Sequence, residues 1–111
     1  MELEVMGLCH TDGFAKTLYV QLRPTPELEH MVALLVAASN GAARAHLDPH
    51  VSLLYHSLDS ATKQSLIDRI ALPRPTLRFN QVHAIAAPQN FATQAHVSQL
   101  RPVHSRFLTT P

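Results

Sequence analysis

The sequence is poor in cysteine and in charge, and it contains no long apolar run. A single cysteine, Cys9, excludes an internal disulfide bond and favours a reducing compartment. The longest strongly apolar stretch, Met31–Ala38, is too short to cross a bilayer. The first residues, Met1–Glu4, are acidic and lack the basic-then-apolar pattern of a signal peptide. Together these absences predict a cytoplasmic protein that does not contact a membrane.

Clustered positive charge is also missing. The formal net charge is +1, and lysines and arginines form no block, so the sequence lacks the electrostatic signature of a protein that binds duplex DNA. Any nucleic-acid substrate should therefore be small or single-stranded. The sequence also contains no glycine-rich phosphate loop and no nucleophile elbow, which argues against the enzyme classes built on those motifs.

What the chain does have is the composition of one globular domain. Its 111 residues are 46% apolar and 15% charged, enough for one modest core. No linker, long repeat or low-complexity tract divides it. We therefore expect residues 1–111 to form a single domain.

Hydrophobic periodicity and turn residues predict seven elements in the order β-β-α-β-α-β-β. This order predicts an α+β fold in which two helices cover one face of a mostly antiparallel sheet. The predicted elements are strands Leu3–His10 and Phe14–Leu22, a helix capped by Thr25 and ending at Asn40-Gly41, strand Val51–Tyr55, a helix capped by Asp59 and continuing to Ile70, and strands Thr76–Ala86 and Val97–Leu108. Pro102 in the last strand lacks an amide donor, which indicates a sheet edge or a bulge.

The segment Pro49–Tyr55, PHVSLLY, carries the most informative pattern. In a strand, His50 and Ser52 lie on one face, roughly 6–7 Å apart. That separation suits a phosphoryl group, with the hydroxyl bound to a non-bridging oxygen and the imidazole near the attacking or leaving oxygen. Imidazole titrates near neutral pH, so it can act as general acid or base without a metal.

This segment resembles the motif of the two-histidine (2H) phosphoesterases, the superfamily of cyclic nucleotide phosphodiesterases and 2′,5′ RNA-ligase-like proteins. The similarity continues on both sides of it, and spans nearly all of the chain. The further matching stretches are Phe14–Leu22, Thr25–Leu28, Leu58–Ile70, Leu77–Val82 and Val97–Leu108. Leu100 stands where the family commonly has a tryptophan.

The resemblance covers only about half of a family member. Such proteins have two pseudo-symmetric lobes with one His-x-Ser/Thr motif each, and this chain resembles the C-terminal lobe. It implies a metal-independent cyclic phosphodiesterase, a phosphoric diester hydrolase with no cofactor, acting on 2′,3′-cyclic nucleotides or RNA ends. His50 and Ser52 would be catalytic, and a homodimer would supply the second histidine.

Three alternatives remain open at this point. The second motif could be His96-Val97-Ser98, although Ala95 replaces the usual proline and Gln99 an apolar residue. The lobe could instead bind a nucleotide or terminal phosphate without turning it over. It could also be a degenerate lobe that associates with a partner chain.

Other residues are weaker candidates. Lys16 could contact a phosphate as a point charge, and Tyr55, like Tyr19, could stack on a base or fill the core. The chain has eight histidines, but the spacing of His46, His50 and His56 matches no metal-binding pattern. We therefore expect no metal site.

Overall fold

The computed structural model describes residues 1–40, 47–86 and 93–108. It confirms the α+β architecture and, in outline, the order of strands and helices, and it adds a short third helix. The elements are β1 (Glu2–His10), a 3₁₀ turn (Phe14–Lys16), β2 (Leu18–Leu22), α1 (Pro26–Ala38), β3 (His50–Leu54), α2 (Ser60–Arg69), β4 (Thr76–Arg78), β5 (Gln81–Ala86), α3 (Gln94–Ser98) and β6 (Arg101–Phe107).

The strands form two sheets within the described ranges. Four strands pair in the order β3-β2-β1-β4, and β5 pairs with β6 as a separate hairpin. Every pairing is antiparallel. The candidate motif therefore lies on β3, an edge strand of the larger sheet.

The helix boundaries follow the capping residues that the sequence indicates. Thr25 accepts a hydrogen bond from the amide of Leu28 at 3.1 Å, and Pro26 opens α1. Asp59 caps α2 by accepting from the amide of Thr62 at 2.6 Å. Asn40, just after α1, has a φ of 53°, the left-handed conformation that ends many helices.

The predicted strand Phe14–Leu22 is wrong in its first third. Phe14–Lys16 forms a 3₁₀ turn, and β2 begins at Leu18. The Thr11 hydroxyl donates to the Lys16 carbonyl at 2.6 Å, and the Thr17 hydroxyl donates to the Phe14 carbonyl at 3.0 Å. These side chains satisfy backbone groups that a strand would pair across the sheet, so the turn is favoured locally.

The predicted strand Thr76–Ala86 is interrupted. Its two halves are β4 and β5, which belong to different sheets. At the break, Phe79 donates its amide to the Met1 carbonyl at 2.7 Å, and the Asn80 carbonyl accepts from Leu108 at 2.7 Å. Adjacent residues thus pair with two distant segments, which the alternation of side chains cannot reveal.

The predicted strand Val97–Leu108 begins too early. Val97 donates to the Thr93 carbonyl at 3.2 Å, and Ser98 ends the short helix α3. The strand β6 begins only at Arg101. Pro102 lies in this edge strand beside a register shift in the β5–β6 pairing, as its missing amide predicts.

The buried core is small and the surface is large. The central cluster of the core lies between the four-stranded sheet and α1. It consists of Leu3, Val20, Leu22 and Leu28. The accessible surface is 8099 Å², against about 6,100 Å² for a compact monomer of this mass. All seven residues of β6 are exposed. No helix in the described ranges is long and apolar enough to cross a membrane.

Candidate functional site

The strand β3 orients His50 and Ser52 to one face of the sheet. His50 lies opposite Gln21 of β2, and Ser52 lies opposite Tyr19. Residues directly opposite each other in an antiparallel pair share a face. These four residues therefore form one face of the sheet, whereas the pair Val20–Val51 faces the core under α1.

The alternation ends directly after Ser52. The register of the β2–β3 pair shifts there, so that Leu54 lies opposite Leu18, which is buried. Regular strand alternation would place Leu54 on the same face as His50 and Ser52, but the register shift places it on the opposite face. A bulge adds one residue to a strand and moves the following side chains to the other face.

The imidazole of His50 is held by the backbone that precedes it. Its Nδ1 atom lies 2.7 Å from the carbonyl oxygen of Asp48. A carbonyl oxygen can only accept a hydrogen bond, so Nδ1 must be the donor. In the neutral imidazole, the proton-accepting nitrogen is then Nε2.

Asp48 also binds two other side chains. Its Oδ2 atom accepts from Lys16 Nζ at 2.5 Å, and its Oδ1 atom accepts from Gln21 Nε2 at 3.2 Å. Oδ2 lies 3.9 Å from His50 Nδ1. Asp48 therefore joins Lys16, Gln21 and His50 into one polar cluster, which we call the Asp48 cluster.

The charges in the Asp48 cluster stabilise each other. The hydrogen bond from Lys16 is the main cause that lowers the pKa of Asp48, and that from Gln21 adds to it. The same hydrogen bond to Asp48 raises the pKa of Lys16 above its ordinary value. Both groups are consequently charged at neutral pH.

Tyr19 lies between the cation and the imidazole. Lys16 Nζ is 4.2 Å from the centroid of its ring, a cation–π contact. The edge of one ring faces the other in the Tyr19–His50 pair, with centroids 5.7 Å apart. Tyr19 is buried, which agrees with a packing role for this residue rather than stacking on a ligand base.

The other candidate residues, Tyr55, His96 and Ser98, are not part of the Asp48 cluster. Tyr55 follows β3 and packs against Phe14 of the 3₁₀ turn, with ring centroids 6.1 Å apart. His96 and Ser98 belong to the helix α3, so the strand alternation that a second His-x-Ser motif requires is missing there. The side chain of His96 lies outside the described part of the structure.

Within residues 1–40, 47–86 and 93–108, no three histidine, cysteine, aspartate or glutamate side chains are arranged to hold a metal ion. His46 falls outside those ranges, and His56 is exposed after β3.

At the start of β3, His50 also borders an apolar pocket of about 290 Å³. Leu28, Met31 and Phe79 form much of its wall, and Gln81 adds a polar group. An apolar pocket does not suit an anion. A phosphate would bind more favourably beside Lys16 than here.

The sequence did not single out Asp48 or Gln21. A signal for Asp48 was present, because it lies two residues before His50 and precedes Pro49, which favours an extended backbone. Nothing in the sequence connects Asp48 with Lys16, which is 32 residues away. Comparison with known proteins adds nothing further: no protein-family model, curated protein or solved structure matches this chain.

Proposed function

We propose that the chain is one lobe of a 2H-type cyclic phosphodiesterase that acts on 2′,3′-cyclic nucleotides or RNA ends. The observation that carries the proposal is the hydrogen bond from His50 Nδ1 to the Asp48 carbonyl, 2.7 Å long. It fixes the neutral ring as a base at Nε2, and Lys16 provides a cation in the same cluster. Metal-independent hydrolysis of a phosphodiester needs both a proton acceptor and a partner for the anion.

The proposed reaction uses two histidines in turn. One His50 accepts a proton from water as the water oxygen bonds to phosphorus. The bond from phosphorus to one ribose oxygen breaks, and a second histidine donates a proton to that oxygen. Ser52 hydrogen-bonds a non-bridging phosphate oxygen. Each acid or base group contributes roughly 10²–10⁴-fold to such a rate.

The second histidine comes, in this proposal, from His50 of a second copy of the chain. Two observations support association. The surface of 8099 Å² is larger than expected for a compact monomer. The hairpin β5–β6 has one wholly exposed strand, and two-stranded hairpins are marginal without cover. In a twofold dimer, both copies contribute the same residues to one cleft.

We place this dimer in the cytoplasm, in keeping with the single Cys9.

The test is turnover of 2′,3′-cyclic nucleotides by the wild type, His50→Ala and Ser52→Ala. His56→Ala is the matched control, because His56 is an exposed histidine just after the same strand. We expect His50→Ala to lose at least about 100-fold in kcat and the control to retain full activity. Equal activity of the wild type and His50→Ala would contradict the proposal.

Subunit mixing tests the dimeric site. When wild-type and His50→Ala chains exchange at equal concentration, half of the wild-type chains pair with a variant. Activity per wild-type chain should then fall to roughly half. An unchanged value would mean that the second histidine lies in the same chain.

A second candidate function is phosphate binding without turnover. It is favoured by the helical position of residues 96–98, which leaves His50-Val51-Ser52 as the strand-borne motif of the described residues. Nucleotide affinity combined with undetectable hydrolysis would select this function.

A further inference from the structure

The Asp48 carboxylate occupies the position in which an anionic ligand would meet the cation of the site. Its Oδ2 atom lies 2.5 Å from Lys16 Nζ and 3.9 Å from His50 Nδ1. Its Oδ1 atom accepts from Gln21 Nε2 at 3.2 Å. A carboxylate oxygen and a phosphate oxygen bind the same donors. The Asp48 cluster is therefore an anion-binding arrangement that holds an anion of the chain itself.

This internal anion can be displaced. The side chains of Lys16 and Asp48 remain 28% and 31% exposed, so solvent reaches the ion pair. Exposed pairs of this kind change an equilibrium by at most about fivefold. The lysine stem is flexible and its ammonium group binds as a point charge, so Lys16 can exchange a carboxylate for a phosphate.

The backbone at Asp48 is held in place, so its carboxylate stays near the site even when it releases Lys16. Its carbonyl is bound to His50, and Gln21 Nε2 also donates to the carbonyl of Pro49 at 3.1 Å. The carboxylate therefore stays near any anion that binds Lys16. It repels that anion in proportion to its charge. A phosphodiester carries one negative charge, whereas a phosphomonoester carries nearly two at pH 8.

We propose that Lys16 is the phosphate-binding residue of the His50 site and that Asp48 competes for it, selecting phosphodiesters over phosphomonoesters. The proposal rests on the proposed function for its ligand class, but it does not require turnover. Its consequence for a phosphodiesterase is rapid release of the monoester product. Asp48 acts on specificity through charge, and its backbone carbonyl orients His50 independently.

The experiment measures binding of two small probes, dimethyl phosphate and methyl phosphate, at pH 8. Binding is followed by NMR shifts of the backbone amides of β2 and β3. The wild type is compared with Asp48→Asn, which keeps the backbone carbonyl and the size of the side chain. Asp12→Asn is the control for net charge, because Asp12 also pairs with a lysine, Lys63, at 3.2 Å.

We expect Asp48→Asn to bind dimethyl phosphate roughly fivefold more tightly and methyl phosphate roughly twentyfold more tightly, since repulsion grows with ligand charge. Asp12→Asn should bind both probes like the wild type. Asp48→Glu, which restores a carboxylate, should restore the preference for the diester. Lys16→Met should weaken binding of both probes.

Two results would overturn the proposal. One is an Asp48→Asn variant that binds the probes no more tightly than Asp12→Asn does, or whose affinity rises by the same factor for both probes. The other is a Lys16→Met variant that binds like the wild type. Neither measurement involves hydrolysis, so the two proposals can fail separately. Absence of turnover would contradict the proposed function while this binding pattern could still hold. Turnover without this binding pattern would contradict only the role of Lys16 and Asp48.

Discussion

The Nδ1 atom of His50 lies 2.7 Å from the carbonyl oxygen of Asp48, two residues earlier in the chain. This contact makes Nδ1 the protonated nitrogen of the neutral ring. It depends on backbone atoms, so it survives any change of the Asp48 side chain that leaves the extended segment intact. The tautomer of His50 is therefore set by local structure.

The first prediction concerns this tautomer. When its ring is neutral, ¹⁵N NMR should show His50 protonated at Nδ1 and unprotonated at Nε2. Asp48→Asn should give the same result, because the carbonyl acceptor is retained. A neutral His50 protonated at Nε2 would contradict the proposed role of that atom as the base.

The second prediction concerns stability in acid. Because Lys16 lowers the pKa of Asp48, the ionised carboxylate stabilises the fold above the carboxyl's ordinary pKa. This contribution is lost as the pH falls through the lowered pKa. At the basic end, the raised pKa of Lys16 gives a contribution that is present below its ordinary pKa and lost as the pH rises through the raised value.

The measurement is the free energy of unfolding of the wild type and Asp48→Asn from pH 7 down to pH 2. The wild type should lose up to about 1 kcal/mol more than the variant, since the pair is partly exposed. Parallel curves for the two proteins would show that the Lys16–Asp48 pair does not contribute to stability.

The third prediction concerns Lys63, which joins α2 to the turn after β1. Its side chain is only 2% exposed. Its Nζ atom donates to the Thr11 carbonyl at 2.8 Å. Lys63→Ala removes both a buried hydrogen bond and the packing of the long stem, so urea unfolding should give a loss of about 2–3 kcal/mol.

Asp12→Asn is the companion variant. The Asp12 side chain is 97% exposed, so its ion pair with Lys63 is screened by water. We expect no measurable change in unfolding. A loss as large as that of Lys63→Ala would mean that the ion pair, not the buried contact to Thr11, anchors α2.

The fourth prediction concerns association. Phe107 at the end of β6 is 69% exposed. The proposed dimer predicts that the wild type sediments with twice the mass of the chain. If the hairpin lies in the dimer interface, Phe107→Asp should shift the population to monomer with unchanged circular dichroism. A monomeric wild type would contradict the dimeric site.

The sequence indicates the parts of the fold that depend on local chemistry. Thr25 and Asp59 cap the two longer helices where their side chains predict, because an N-cap acts within one helical turn. The apolar run after Pro49 forms β3 for an equally local reason. The 3₁₀ turn at Phe14–Lys16 is local as well, because it rests on threonine hydrogen bonds, but the apolar residues around it also fit a strand pattern.

Tertiary structure decided what the sequence pattern could not. Whether Thr76–Ala86 forms one strand or two depends on pairing partners distant in the chain. The face occupied by Leu54 depends on a register shift opposite Leu18. These outcomes follow from long-range pairing, which the alternation of a single segment does not encode.

The same distinction between local sequence and tertiary structure applies to the candidate site. The sequence by itself determined that His50 and Ser52 share a face of a strand, because side chains alternate along β structure. Only the tertiary structure brought Lys16 to Asp48, and with it into the cluster that contains His50. That meeting depends on the turn before β2 and on the pairing of β2 with β3, which bring together groups far apart in the chain.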